Sequence, residues 1–458
     1  MGRKVKTIKD FKFTLDNTVK KQVKNRNKPK LSSTLIIDFS NHDVKNYKRF
    51  SIHTSCDDHM DDFIGQFNEI LNECDLDVDQ SFLMYKKLPT FQVDESLEWY
   101  DMPEYDINHD LVACTTISLM IETIDVPMYN AFVHLFHTYF DQILWPTNSN
   151  FWYPNRPKEL TTKTNKMYIG DDIQVKYPIY IISKGRYEKR YTSKYLEWCN
   201  VDYKIIVEPQ EFEQYNQHIG KDKILILPDE YLGKNQASIP ARNYAWWHAK
   251  ESGALRHWIL DDNITSYKRY YESEKIYIKS GLAFRVIEDY VDRYDNIKMA
   301  GHNYTAFCCS LNTSLPPITM NTRIYSSILL SNDIFPEIQW RGTFNEDTDL
   351  SIRILKLGHP TVLFNCILAD KLKTLTQKGG NTDSIYKEKD SMYKKAASLQ
   401  EQHPDVTSII KRFGRTHHYV NYTSFKDLKL NRIVDVTKEP NNYGMILVDK
   451  DVSELYKN

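Results

Sequence analysis

The chain has 458 residues, 41% hydrophobic and 13% aromatic, so it exceeds one average domain, can bury a core, and does not belong with disordered chains. Its formal net charge is −1, yet residues 1–30 carry eleven Lys/Arg against two Asp, and residues 41–111 are acidic. No run of about 18 apolar residues occurs, and the start "MGRKVKTIKDFKF" has no apolar stretch after its charges, so neither a membrane span nor a secretory signal is expected.

The seven cysteines (Cys56, Cys74, Cys114, Cys199, Cys308, Cys309 and Cys366) contain no C-x-x-C. An odd, scattered set reads as reduced thiols in the cytosol rather than a disulfide frame or a zinc site. Residues 1–50 lack sustained periodicity and read as a basic arm, either a contact for a polyanion such as DNA or a solubilising tail. Residues 51–165 read as a small α+β accessory domain. In it "MDDFIGQFNEILNEC" has helical spacing, with Phe63, Phe67, Ile70 and Leu71 as core. "VACTTISLMIETIDV" reads as a strand, "MYNAFVHLFHTYFDQIL" as a helix, and the phrase "FWYPN" follows. His134 and His137 lie on that aromatic helix, where packing is expected rather than metal ligation. The strand–helix–"FWYP" pattern resembles a small module found beside DNA-modifying domains in phage proteins.

From about 176 the pattern changes to alternating strands and helices: "YPIYIISKGR", "YTSKYLEW", "YKIIVE", a polar helix around "QEFEQYNQ", "KILILP", the helix "ARNYAWWHAKES", and "HWILDD". Such alternation predicts an α/β domain with a parallel sheet and helices on both faces. In these sheets ligands sit beyond the carboxyl ends of the strands. That rule brings Ser183, Lys184, Gly185 and Arg186, then Glu208, then the Asp261–Asp262–Asn263 turn to one edge. A hydroxyl, two cations and a flexible backbone suit phosphates, and Glu208 suits a ribose or base. Polar residues also end most strands without any ligand.

Ser238 and Pro240 mark a helix start, Ala241, Ala245 and Ala249 form a narrow face for the sheet, and Arg242 and Asn243 fall in the first turn. A cation at a helix N-terminus needs an anion nearby, which a diphosphate or Asp261 would supply. Two carboxylates closing an apolar strand need compensation, and Mg²⁺ or Mn²⁺ bridging to phosphate is one form of it. Asn263 is a poorer metal ligand. In "RGTFNEDTDLSIRILKLGHP", Leu350, Ile354 and Leu357 mark a helical face that Gly358 and Pro360 end. Asn345 is expected to cap it, placing Glu346, Asp347 and Asp349 in the first turn. Such acids complement the helix dipole, and one of them can equally accept a proton from a hydroxyl.

The series "SKGR", "VE", "ARN", "WILDDNI" and "FNEDTDLSIRILKLG" resembles a GT-A-fold nucleotide-sugar glycosyltransferase, and more narrowly the TET/JBP-associated glycosyltransferase group of phages and a eukaryotic relative. The resemblance spans about residues 176–390, with 391–458 as a C-terminal extension. It implies a GT-A-like, Rossmann-type mixed but mostly parallel sheet flanked by helices, beside the smaller N-terminal domain. It implies transfer from a UDP-sugar to a hydroxymethylated pyrimidine in DNA, 5-hydroxymethylcytosine foremost, in the cytoplasm of a host cell if phage-encoded. Carried over, Ser183, Lys184, Arg186, Glu208, Arg242, Asn243 and Lys378 of "QKGGNT" would bind the nucleotide sugar, and Asp261 its ribose or sugar. Asp262 and Asn263 would take the metal–diphosphate position. Asp347 would be the general base, with Glu346 or Asp349 in reserve, and His302, Asn303 and Arg341 would lie on the acceptor side. Asn263 stands where the usual D-x-D motif ends in Asp, and no histidine lies in "QKGGNT". Alternatives are a transferase acting on a glycosylated base, protein or glycan, and a non-catalytic nucleotide-sugar or DNA-binding protein.

Overall fold

The computed structural model describes residues 47–54, 62, 81–87, 97–106, 115–122, 150–152, 166–170, 173–232, 237–272, 274–308, 315–372, 391–412 and 415–449. The basic arm up to residue 46, the 60–74 helix apart from Asp62, the helix bearing His134 and His137, and Lys378 lie outside them. The chain divides into two compact units. The first comprises residues 1–91, 107–163 and 309–314. Its described strands are β1 (Tyr47–Thr54), β2 (Ser81–Lys87), β3 (Thr115–Glu122) and β4 (Asn150–Trp152), in the order β2-β3-β1-β4. β1 pairs antiparallel with β3 and parallel with β4.

The second unit comprises residues 92–106, 164–308 and 315–458, so the segment before β3 and the C-terminal extension both belong with it. Its elements run β5 (Lys166–Ile169), β6 (Ile179–Ile182), α1 (Tyr191–Trp198), β7 (Lys204–Val207), α2 (Phe212–Ile219), β8 (Ile224–Ile226), α3 (Ile239–Glu251), β9 (Arg256–Asp261), β10 (Ile264–Tyr271) and β11 (Glu274–Lys279). Then follow α4 (Leu282–Val291), β12 (Met299–Tyr304), β13 (Ile318–Met320), β14 (Ser327–Ser331), α5 (Glu346–Lys356), β15 (Thr361–Lys371), α6 (Ser391–Gln402), β16 (Thr407–Arg412), β17 (Arg415–Val420) and β18 (Ile446–Asp449).

One mixed sheet runs β18-β5-β11-β10-β15-β12-β14-β9-β6-β7-β8, with β13 beside β15. The parallel expectation holds across β9, β6, β7 and β8. Beyond β9 the direction reverses at β14, and β12 and β15 are again parallel to each other. Helices cover both faces because successive strand residues point opposite ways. On β9, Trp258 meets Phe284 of α4, while Ile259 joins the core under α3 with Ala245, Trp246 and Ala249. Leu350 and Ile354 of α5 enter that same core. Ile352 and Leu355 pack instead against Leu399 of α6, Val406 and Phe425, so the C-terminal segment closes the second side of α5. Glu288 of α4 is fully buried and accepts hydrogen bonds from the Trp258 indole (2.8 Å) and the backbone N–H of Lys176 (2.8 Å). It thereby locks the start of the strand that ends in Asp261.

Candidate active site

The turn after β9 is held from beneath by the first residues of α1. The Thr192 hydroxyl donates to the Asp261 carbonyl (2.6 Å) and accepts from the Ile264 N–H (3.0 Å). This fixes where the two carboxylates go. Asp261, in phase with Ile259, faces the helix side of the sheet on which α3 lies. There its Oδ1 accepts from Arg242 Nη2 (2.8 Å), and its Oδ2 accepts from Ser326 Oγ (2.6 Å) and Lys371 Nζ (2.7 Å). Burial pushes the Asp261 carboxyl up, but the Lys371 and Arg242 charges outweigh it and hold the group well below the usual carboxylate range. Burial likewise opposes the charge of Lys371, and Asp261 and Tyr304 more than compensate. Arg242 is 5% exposed, with its guanidinium 4.7 Å from the centre of the Trp340 ring and its Nε donating to Ser238 Oγ (3.1 Å). Its Nη1 is buried with no hydrogen-bond acceptor.

Asp262 turns the other way, toward the exit of β6. It is 6% exposed; Ser183 Oγ donates to its Oδ2 (2.7 Å) and Arg186 Nη1 to its Oδ1. Ser183 Oγ also bonds the Tyr215 hydroxyl of α2 (2.6 Å), which accepts from the Arg186 N–H (3.1 Å). Burial moves Asp262 upward despite Arg186. Asn263 Oδ1 is buried without a partner.

Of the pair expected to hold a metal, Asp262 is engaged by Ser183 and Arg186, while Asn263 Oδ1 is buried and unpartnered. Both oxygens of Asp261 and of Asp262 are already used by the protein's own cations and hydroxyls, and the two carboxylates point into different clusters. Among the described residues, no group of three or more His, Cys, Asp or Glu side chains comes together as a metal site.

The third acidic group begins α5. Asn345 occupies the capping position in the left-handed region (φ 54), but its side chain donates to the Lys395 carbonyl (2.6 Å) and does not cap the helix. Asn tolerates that conformation better than most residues, so the expected residue is present for a different reason. Glu346 lies 3.7 Å from Arg242 Nη2. Asp347 is half-buried beside it, and its carboxyl is pushed up to about 7, first by burial and then by the Glu346 charge, against the pull of Arg242 and Lys395. Its Oδ1 accepts from the Thr348 N–H (2.9 Å). Arg242 therefore joins Asp261 at the end of β9 to the acids at the start of α5.

Residues 177–380 match the TET-Associated Glycosyltransferase family. The match supports the TET/JBP-associated glycosyltransferase group for this segment, which is less than half of the chain. No curated protein matches the chain. Among solved structures, mannose-6-phosphate isomerase from Helicobacter pylori aligns at 9% identity and a TM-score of 0.19, over 59% of this chain and 99% of its own. A likeness at that level carries no argument about fold or activity.

Within the glycosyltransferase segment the remaining expected residues divide. Lys184 pairs with Glu208 (2.6 Å) at the exits of β6 and β7, as one sheet edge requires. Asn243 spends its amide on the backbone of Trp340, donating to its carbonyl (3.0 Å) and accepting from its N–H (2.9 Å), so it shapes the loop that Arg242 stacks on. Asp349 does not join Asp347. It is 1% exposed and sits in an ion cluster with Arg341 (2.9 Å), Arg353 (2.8 Å) and His403 (2.8 Å). Arg341, expected at the acceptor, is held there with it. His302, expected on the acceptor side, lies at a buried position on β12. It is 1% exposed, its ring nitrogens bond Ser327 Oγ and the Ala283 carbonyl (both 2.8 Å), and burial pushes it down to about 3. Asn303 donates to Asn365 Oδ1 (2.9 Å) at a half-buried position.

Sequence reasoning missed Thr192, Ser326 and Lys371. Lys371 ends β15, whose register places it opposite Ile264, directly after the acidic turn. The available signal was the buried run "TVLFNCILA" passing into Asp-Lys, another strand ending in charge.

Proposed function

We propose that the protein transfers a sugar from a UDP-sugar to the hydroxymethyl group of a modified pyrimidine in DNA, 5-hydroxymethylcytosine foremost, using a GT-A-like arrangement of the second unit. The observation that carries this reading is geometric: within the segment that matches the glycosyltransferase family, Glu346 at the start of α5 lies 3.7 Å from Arg242, a buried guanidinium with a spare donor, and Asp347 follows it in the same turn, its carboxyl pushed up by burial and by Glu346. A general base works best when its pKa lies near the working pH. Asp347 takes the proton of the primary hydroxyl as that oxygen bonds the anomeric carbon. The bond from the anomeric carbon to the phosphate oxygen breaks, and its electron pair leaves with UDP. Arg242, through Nη1, and Lys371 stabilise the charge that develops on the diphosphate. Such a single displacement inverts the anomeric centre. Arg186, paired with Asp262, and Lys184, paired with Glu208, border the nucleotide end.

The test uses the full chain, duplex DNA containing 5-hydroxymethylcytosine, and a panel of UDP-sugars with and without Mn²⁺. Mass spectrometry of the digested nucleosides is expected to show a hexose or pentose added to the modified base. Hydrolysis of donor with no glycosylated nucleoside would remove DNA as the acceptor. A requirement for Mn²⁺ would show that a cation displaces the protein's own partners from Asp261 or Asp262.

A further inference from the structure

The phrase "KRFGRTHHYVNY", beyond the end of the family match, builds a feature that the donor site does not use. β16 and β17, six residues each, pair antiparallel from Thr407↔Val420 at one end to Arg412↔Arg415 at the other. Among the described residues they pair with no further strand, so they form a two-stranded ribbon. Residues 406–426 hold Lys411, Arg412, Arg415 and Lys426 and no carboxylate, in a chain whose net charge is −1. Ordinary surfaces intersperse both signs of charge, whereas three of these four cations gather at the end of the ribbon where its strands join.

Packing on α6 fixes where that end lies. The base of the ribbon is tied to the C-terminal end of the helix, the Thr407 N–H donating to the His403 carbonyl (3.0 Å) and the Asn421 N–H to that of Val406 (2.7 Å). Alternation gives the ribbon two faces. Val420, on the inner one, joins the cluster of Leu399 and Val406, and both strands pack along α6. Six strand residues span about 20 Å and a twelve-residue helix about 18 Å, so the tip comes level with the first turn of α6. In that part of α6 the Lys395 carbonyl accepts from the Asn345 amide (2.6 Å), and Glu346 follows Asn345 at the start of α5. The charged tip and the acids of α5 therefore lie toward the same end of α6.

On the outer face Tyr419, opposite Ser408, is 51% exposed, and His417, opposite Ile410, is half-buried. Inside, burial first and then Lys395, Arg323 and His417 push the His418 ring down to about 4, as a field of one sign would.

We propose that the β16–β17 ribbon enters the groove of duplex DNA and brings the charge of Lys411, Arg412 and Arg415 to the phosphates beside it. The inference rests on the reading that the acceptor is DNA. The major groove is about 12 Å wide and admits a two-stranded ribbon, and clustered cations gain affinity for phosphates whatever the sequence.

The test is fluorescence anisotropy of the full chain on a labelled duplex, without nucleotide sugar, across a series of salt concentrations. Lys411→Gln/Arg412→Gln/Arg415→Gln should lower the salt dependence of log Kd by about 2–3 and weaken binding about tenfold or more near about 0.15 M salt. Arg412→Lys/Arg415→Lys keeps the charge and should keep the slope. The basic residues 1–30 are present in every variant, so the difference belongs to the ribbon. An unchanged slope in the triple Gln variant overturns the ribbon while transfer to DNA stands. An equally large loss on single-stranded DNA overturns the groove contact. A wild-type chain that binds duplex yet glycosylates no base ends the transfer reading, and a slope that still falls in the triple variant upholds the ribbon.

Discussion

Asp347→Asn separates the chemistry of the site from its cost to the fold. The amide retains the Oδ1 acceptor that the Thr348 N–H uses at 2.9 Å and removes only the charge. In the folded chain the carboxyl is moved from 3.8 to about 7, by burial first and Glu346 second. Between those values the folded state binds more protons than the unfolded chain, so this group's contribution to stability falls as pH rises and is fully lost above about 7. From pH 5 to pH 8 about two pH units of that window remain, a ceiling of about 3 kcal/mol at about 1.4 kcal/mol per unit. Solvent reaching a half-buried carboxyl reduces this to about 1–2 kcal/mol. The variant carries no such penalty. In urea denaturation it should gain about 1–2 kcal/mol over wild type on going from pH 5 to pH 8, while transferring no sugar at either pH. An equal stability difference at both pH values would refute the argument, and so would retained transfer.

Three further changes probe the same lattice of charge. Glu346→Gln removes the second cause of the raised Asp347 pKa, so the rising limb of the rate–pH profile should move from near 7 to lower pH by about one unit; an unmoved limb would contradict the pairing. Lys371→Met takes away the largest charge lowering Asp261 and one of the two cations assigned to the diphosphate. The donor KM should rise about tenfold or more, with the acceptor KM little changed. Asp349→Asn strands Arg353 and His403 in the interface between α5 and α6 and should cost about 3–5 kcal/mol in chemical denaturation. Because Asp349 is engaged by Arg341, Arg353 and His403 and not with Asp347, the folded variant should keep the wild-type rate–pH limb, and a displaced limb would return it to the site.

Local periodicity carried the elements of the second unit well. "YTSKYLEW" forms α1 over the same eight residues, because Thr192, Ser193, Tyr195 and Leu196 make one buried stripe. The small face of Ala245 and Ala249 does lie against the sheet at full burial, and Gly358 ends its helix at φ +86. Sheet order was less legible. Nothing in the strand sequence of β14 distinguishes it from a parallel strand, since its five residues are all buried, yet it runs against β9 and β12. Direction there follows from which loops are short enough to reverse the chain, and a fully buried apolar strand records none of that.

The site shows the same limit residue by residue. Asp347 and Asp349 look equivalent in "NEDTDL", but residues two apart on a helix do not share a face, and each takes about 100° of turn. That spacing alone could have set Asp349 aside, and the structure buries it against Arg353 and His403. Lys371 was invisible for the opposite reason: it lies 110 residues from Asp261, and only the register of β10 on β15 brings the two within 2.7 Å. The adjacent pair Asp261–Asp262 combines both effects. Strand alternation sends Asp261 toward Arg242, while the turn pinned by Thr192 sends Asp262 toward Ser183 and Arg186. Their divergence leaves Asp261 alone with two cations in reach of the acids of α5, so any anionic donor entering there competes with Asp261 for Arg242 and Lys371. On the proposed transfer reading, Asp261 positions those cations and its carboxylate sets how much of their charge the donor draws.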